Sequence, residues 1–152
     1  MTSAANLLLK FKRLQGNDLP LPERATEGSS GFDLRACVDA PVVLAPGERA
    51  LIPTGFAVEI PEGCEGQVRP RSGLALRHGL TLLNTPGTID CDYRGEVSVI
   101  AINLGDIPAT ISRGDRIAQM VIQRVAVPDT MEVAELGVSR RGQGGFGSSG
   151  SR

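Results

Sequence analysis

Five segments carry side chains whose types and spacing could do chemistry. The stretch "LLNTPGTIDCDYRGEV", Leu82 to Val97, holds two carboxylates, Asp90 and Asp92, beside the only tyrosine, Tyr93. Read as alternating along an extended segment, the two point to opposite faces, one toward a site and the other toward solvent or Arg94. A polar β-hairpin with a Tyr-Arg-Gly turn would read the same way. In "VRPRSGLALRHG", Arg69, Arg71, Ser72 and Arg77 cluster at the start of the one stretch that reads helical. Free backbone N–H groups and the positive end of the helix dipole make such a start an anion site. A surface helix capped by Ser72 fits equally well. The segment "SSGFDLRA" places Asp33 on a strand after a glycine, where an acid could also cap backbone N–H groups. In "RGDRIAQMVI", Gln119 interrupts an apolar strand. It needs partners if buried, or it points outward on an edge strand. The fifth segment, "SRRGQGGFGSSGSR", sets Arg140, Arg141 and Phe146 among glycines and serines.

This last segment cannot build a core. Ordering about ten such residues costs on the order of 10 kcal/mol in backbone entropy. Burying one phenylalanine returns only about 1.5–3 kcal/mol. A polyanion could offset the deficit through glycine-rich N–H nests and arginine forks, and the phenyl ring could stack on a base. Its "GQGGFG" fits the GxGxxG pattern, but nothing regular precedes it and five residues follow Gly147, so the dinucleotide-binding reading is rejected. Taken together, three anion-binding segments, isolated acids, one stackable Phe and one Tyr suit a nucleoside polyphosphate with a divalent cation.

The elements that must position these groups read as β. Of the 152 residues, 19 are Gly and 10 Pro, a density that favours short elements and tight turns. Strand-length apolar segments recur, including "FDLRACV", "RALIPTGFAVEI", "EVSVIAINL" and "RIAQMVIQRVAV". They are punctuated by Pro46-Gly47, Pro86-Gly87, Arg94-Gly95, Gly105-Asp106 and Gly114-Asp115. "EVSVIAINL" suits a strand covered on both faces, one of them a possible subunit interface. An all-β barrel or sandwich with one short helix and a mobile tail is expected. A net charge of -1 gives no basic footprint for polymeric nucleic acid. The three cysteines, Cys37, Cys64 and Cys91, have no metal-ligand spacing and suit a reducing cytoplasm. No stretch reads as a signal peptide or bilayer span. His78, the only histidine, is given no role.

In order, "SGFDLRA", "RPRSGLA", "NTPGTIDCDYRGEV", "RGDRIAQMVI" and "RGQGGFGSSG" resemble the five motifs of the homotrimeric dUTP pyrophosphatases, the dUTPases, from Ser30 to Gly150. Ser30 and Ser149 stand where alanine and threonine are common. The resemblance implies a distorted, jelly-roll-like β-barrel (a β-clip) over 1–138 and a flexible phosphate-binding flap over 139–152. It implies hydrolysis of dUTP to dUMP and pyrophosphate by water attack on the α-phosphorus, with Mg2+ on the triphosphate. Asp90 would be the general base, and Asp33 would hold the hydrated metal through water. Arg71, Ser72, Gly73, Gln119, Arg141, Gly144, Gly145, Gly147 and Ser148 would bind the phosphates. Asn84, Thr88, Asp90, Tyr93 and Phe146 would bind base and sugar, a β-hairpin reading the uracil edge and Phe146 covering the base. The site would need three chains of a cytoplasmic homotrimer. Rival expectations are a dCTP deaminase-like enzyme and a non-catalytic nucleotide-binding regulatory module.

Overall fold

Alternating burial along the strands decides the architecture. The computed structural model describes residues 7–145, as ten strands and one helix. The strands are β1 (Lys10–Arg13), β2 (Gly31–Arg35), β3 (Val42–Leu44), β4 (Arg49–Glu59), β5 (Cys64–Arg69), β6 (Leu80–Leu82), β7 (Gly87–Ile89), β8 (Glu96–Asn103), β9 (Ala109–Ile111) and β10 (Arg116–Arg124), with α1 (Ser72–His78) between β5 and β6. Antiparallel pairing gives one sheet in the order β1-β4-β8-β6, a second in the order β2-β10-β5-β7, and a small β3-β9 pair. The arrangement is jelly-roll-like and mostly β, with sheets that do not close.

The two large sheets face each other across an aliphatic core. Ile52, Val97, Val99 and Ala101 from the first meet Leu34, Val68, Ala118 and Met120 from the second. Each large aliphatic side chain buried this way contributes about 1.5–3 kcal/mol. Buried polar groups are paired: Asn103 donates through Nδ2 to the carbonyls of Leu44 and Ile107, at 2.9 and 2.8 Å. Thr54 donates to the carbonyl of Val97 at 2.6 Å.

Within one chain β8 is buried on one face only. Val97, Val99, Ala101 and Asn103 are buried, while Ser98, Ile100 and Ile102 stand half-exposed on the outer face. Opposite Ile100, Leu51 of β4 is 66% exposed, and Leu83 nearby is also open. This apolar outer face lacks a cover within the described part of the chain. Beyond β10, the stretch 126–138 forms no strand and leaves Val127, Met131, Leu136 and Val138 exposed.

α1 starts without the expected cap. Arg71 occupies the N-cap position with extended backbone and no side-chain cap bond, and Ser72 is the first helical residue. Leu74 and Ala75 N–H groups bond back to the Arg71 carbonyl, both at 3.1 Å, leaving Ser72 exposed beside the groove described next.

Candidate active site

Strand register assembles the polar side chains. Across the second sheet, Asp33 of β2 pairs with Gln119 of β10, which pairs with Arg69 of β5. Directly opposed residues share a face, so one row carries an acid, an amide and a guanidinium. β10 lies inside its sheet, so Gln119 is on an interior strand and not, as one sequence reading allowed, on an edge. The next row, Phe32, Met120, Val68 and Gly87, turns the other way, with Met120 and Val68 in the core. The polar face, with the start of α1, forms a groove of about 440 Å3 lined by Asp33, Arg69, Arg71, Ser72, Gly73, Arg77, Arg116 and Gln119, among others.

Within this groove Asp33 is the common acceptor. Arg71 Nε lies 3.3 Å from Oδ1, and Arg116 Nη1 3.2 Å from Oδ2. Arg71 also donates through Nη1 to the carbonyl of Arg116, at 3.2 Å. One carboxylate thus holds two guanidiniums toward the open groove, where an anion could be bound bidentately. Asp33 does not cap a nearby turn. Gln119 donates through Nε2 to the carbonyl of Pro70, at 3.1 Å. A Cβ on Gly31 would collide with the Gln119 side chain, approaching its Cβ and Cδ to 3.1 Å. Gly31 therefore gives the amide its place. Arg116 and Gly31 were not singled out from sequence. Both lie inside quoted motifs, but only their contacts reveal a role.

The segment around Asp90 is not a β-hairpin. β6 pairs with β8 in one sheet and β7 with β5 in the other, so residues 83–86 cross between sheets. Each of the two short strands pairs with a longer one, β6 with β8 and β7 with β5. β6 and β7 are both edge strands, and an edge carries backbone N–H and C=O groups unpaired by the sheet. Between them opens a recess of about 370 Å3. Its lining includes Leu82, Asn84, Gly87, Thr88, Asp90, Tyr93, Ser98 and Ile100. Asp90 is exposed just past the end of β7, and Asp92 follows in a turn rather than an extended strand. The N–H of Tyr93 closes that turn onto the Asp90 carbonyl, at 3.1 Å. Tyr93 donates its hydroxyl to the carbonyl of Glu96, at 2.8 Å.

The groove and the recess have no lining residue in common. Val68 lines the recess and Arg69 the groove, and successive strand residues point to opposite faces. One chain therefore brings Asp33, Arg71, Ser72, Gly73 and Gln119 together, and separately Asn84, Thr88, Asp90 and Tyr93. Arg141, Gly144 and Gly145 line neither cavity. Arg141 instead donates through Nε to the Gly144 carbonyl at 2.7 Å. Phe146, Gly147 and Ser148 lie outside the described residues. Among the described residues, no three His, Cys, Asp or Glu side chains gather as a metal cage. Also among them, no helix is long and apolar enough to cross a membrane.

The chain is similar to known proteins over nearly its whole length. A family model described as dUTPase covers residues 17–150. The deoxyuridine 5'-triphosphate nucleotidohydrolase of Caulobacter vibrioides is 58% identical over 149 residues, 96% of each chain. That of Rhizobium etli is 60% identical over 137 residues, 89% of this chain and 88% of the relative. Among solved structures, the Staphylococcus bacteriophage 80alpha dUTPase with dUPNHPP superimposes with a TM-score of 0.86 at 32% identity, covering 94% of this chain and 98% of the phage chain. A dUTPase of S. aureus phage phi11, described with a structural Mg(II) ion, gives a TM-score of 0.78 at 27% identity, covering 86% of this chain and 99% of that one. With the motif-bearing strands, the arginine groove and this similarity over nearly its full length, the chain belongs to the dUTPase family.

Proposed function

We propose that the protein hydrolyses dUTP to dUMP and pyrophosphate, the base and sugar lying in the recess of one chain and the triphosphate in the arginine groove of another. The observation that carries this reading is the division itself. One cavity holds an unpaired backbone edge, an amide, a phenol and a carboxylate; the other holds phosphate-type donors; they face opposite ways. Two copies that bring a recess against a groove make one complete site. The uncovered outer face of β4 and β8 supplies apolar surface for such contact, in keeping with a homotrimer. The stretch 126–138, exposed and unpaired, would carry residues 139–152 as a flap to the same site.

In this site Asn84, Thr88 and the free edge of β7 meet the uracil edge. A cytosine places an amino donor where uracil has an acceptor, leaving a buried pair unsatisfied. Tyr93 packs against the deoxyribose. Asp90 takes a proton from the attacking water, a role worth typically about 10²–10⁴-fold. Arg71, Ser72, Gly73 and Gln119 stabilise the charge that moves onto the leaving pyrophosphate. Arg141 with Gly144, Gly145, Gly147 and Ser148 closes on the phosphate chain, and Phe146 covers the base. Mg2+ is held mainly by phosphate oxygens and water and needs few protein ligands, so one groove carboxylate would suffice once Arg71 and Arg116, which engage both its oxygens here, turn to the phosphates. Asp33 would hold it through water, and the bound ion would neutralise triphosphate charge.

The test is a hydrolysis assay on dUTP, dCTP, dTTP and UTP, with and without Mg2+. Pyrophosphate release from dUTP far above the others, dependent on Mg2+, is expected. Ammonia released from dCTP would replace this reading with a deaminase. Tight dUTP binding without turnover would replace it with a regulatory module.

A further inference from the structure

Gly95 has no conformational reason to be glycine. Its backbone is not among the positive-φ positions, so an alanine could adopt the same conformation. What excludes a side chain there is Tyr93. A Cβ on Gly95 would lie 2.6 Å from Tyr93 Cζ and 3.0 Å from Cε2, and nearer still to the hydroxyl. Carbon atoms in contact sit at roughly 3.5–4.0 Å. The phenol therefore rests on the bare α-carbon of Gly95. Its tip is held by the bond to the Glu96 carbonyl at 2.8 Å, and its backbone by the turn onto Asp90 at 3.1 Å. Glu96 is itself anchored, its Oε1 accepting from the N–H of Gly55 at 2.8 Å. Arg94 caps the same turn, donating to the carbonyls of Cys91 and Tyr93 at 2.6 and 2.8 Å.

We infer that Gly95 is a positioning residue for sugar selectivity, because it sets the height at which the Tyr93 ring stands in the recess. This rests on the reading of the recess as the base and sugar site. A methyl group at 95 meets the far end of a side chain, not backbone, so the ring moves and the fold stays. A ring pushed toward the sugar weakens deoxyribose binding. A ring pushed away admits a 2'-hydroxyl. Only the second lowers the preference for dUTP over UTP, and a methyl group in the ring's seat, 2.6 Å from Cζ, turns the ring out of it.

The test is a cycle of four proteins, wild type, Gly95→Ala, Tyr93→Ala and the double variant, with kcat/KM measured for dUTP and UTP. Gly95→Ala is expected to lower the dUTP:UTP ratio at least about tenfold, the scale of a misplaced small group in a specificity pocket, with thermal stability unchanged. Tyr93→Ala is expected to lower it as well, and the double variant to match Tyr93→Ala alone, because the glycine acts through the ring. Additive losses would overturn the inference, as would an unchanged ratio or a collapsed fold in Gly95→Ala. An unchanged ratio in Tyr93→Ala would instead remove the sugar-site reading on which the inference stands.

Discussion

At the scale of single residues, the proposed chemistry depends on two carboxylates in different surroundings. Asp90 is exposed at the end of β7 and free to meet solvent, whereas Asp33 is occupied by Arg71 and Arg116. Asp90→Asn keeps the shape and removes the base. It is expected to retain dUTP binding by calorimetry and to lose about 10²–10⁴-fold in kcat; an unchanged kcat would remove Asp90 from the reaction. Both carboxylates stand out in sequence because their segments are polar islands in an apolar β pattern. Arg116 and Gly31 do not stand out, since a guanidinium's partner and a glycine's neighbour are set by strands far apart in the chain.

At the scale of elements, the short helix and the turns hold the groove in place. Gly79 ends α1 at φ 64° and donates to the Ala75 carbonyl at 3.1 Å. A Cβ there would lie 2.5 Å from Gly105 Cα and 2.9 Å from the Leu104 carbonyl carbon. Backbone cannot swing away as a side chain can, so Gly79→Ala is expected to cost more than about 1 kcal/mol in thermal unfolding. A second clamp joins the loop before β2 to the turn before β10. Arg113 Nη2 lies 2.6 Å from Asp18 Oδ1 and also donates to the Gly16 carbonyl at 2.8 Å. The hydrogen bond from Arg113 holds the Asp18 carboxyl below its ordinary value. A lowered folded-state value stabilises the protein above the ordinary carboxylate range, and the effect is lost as pH falls through the lowered value. Asp18→Asn is therefore expected to lower Tm modestly at neutral pH, since Asp18 is exposed, and to approach wild type only at acid pH, below the lowered value. An equal difference at both would refute the linkage. Of these elements, the helix and most strands are legible from apolar runs and turn pairs. β7 is not, because Gly-Thr-Ile carries a single apolar side chain and makes no apolar run.

At the scale of the molecule, the opposed cavities make assembly part of the proposed site. If one site takes Asp90 from one chain and Arg71 from another, Asp90→Asn and Arg71→Ala proteins, each inactive, regain activity when refolded together. Mixed assemblies then contain some sites with both residues intact. No recovery at any mixing ratio would place both residues in one chain's site. Deleting Arg140 to Arg152 is expected to leave Tm unchanged, since described residues of that stretch make only local bonds, and to cut kcat sharply through loss of the flap. Full activity after the deletion would end the flap proposal.

The amino-acid sequence alone determined the β class, the single short helix at Ser72 and the five segments that carry chemistry. These follow from composition, turn residues and short-range apolar pattern, which a chain displays locally. Only the tertiary structure decided that Asp33, Gln119 and Arg69 form one row, that β6 and β7 belong to different sheets, and that groove and recess face apart. Register and sheet membership arise from pairing between distant strands, and a shift of one residue would turn every side chain to the other face.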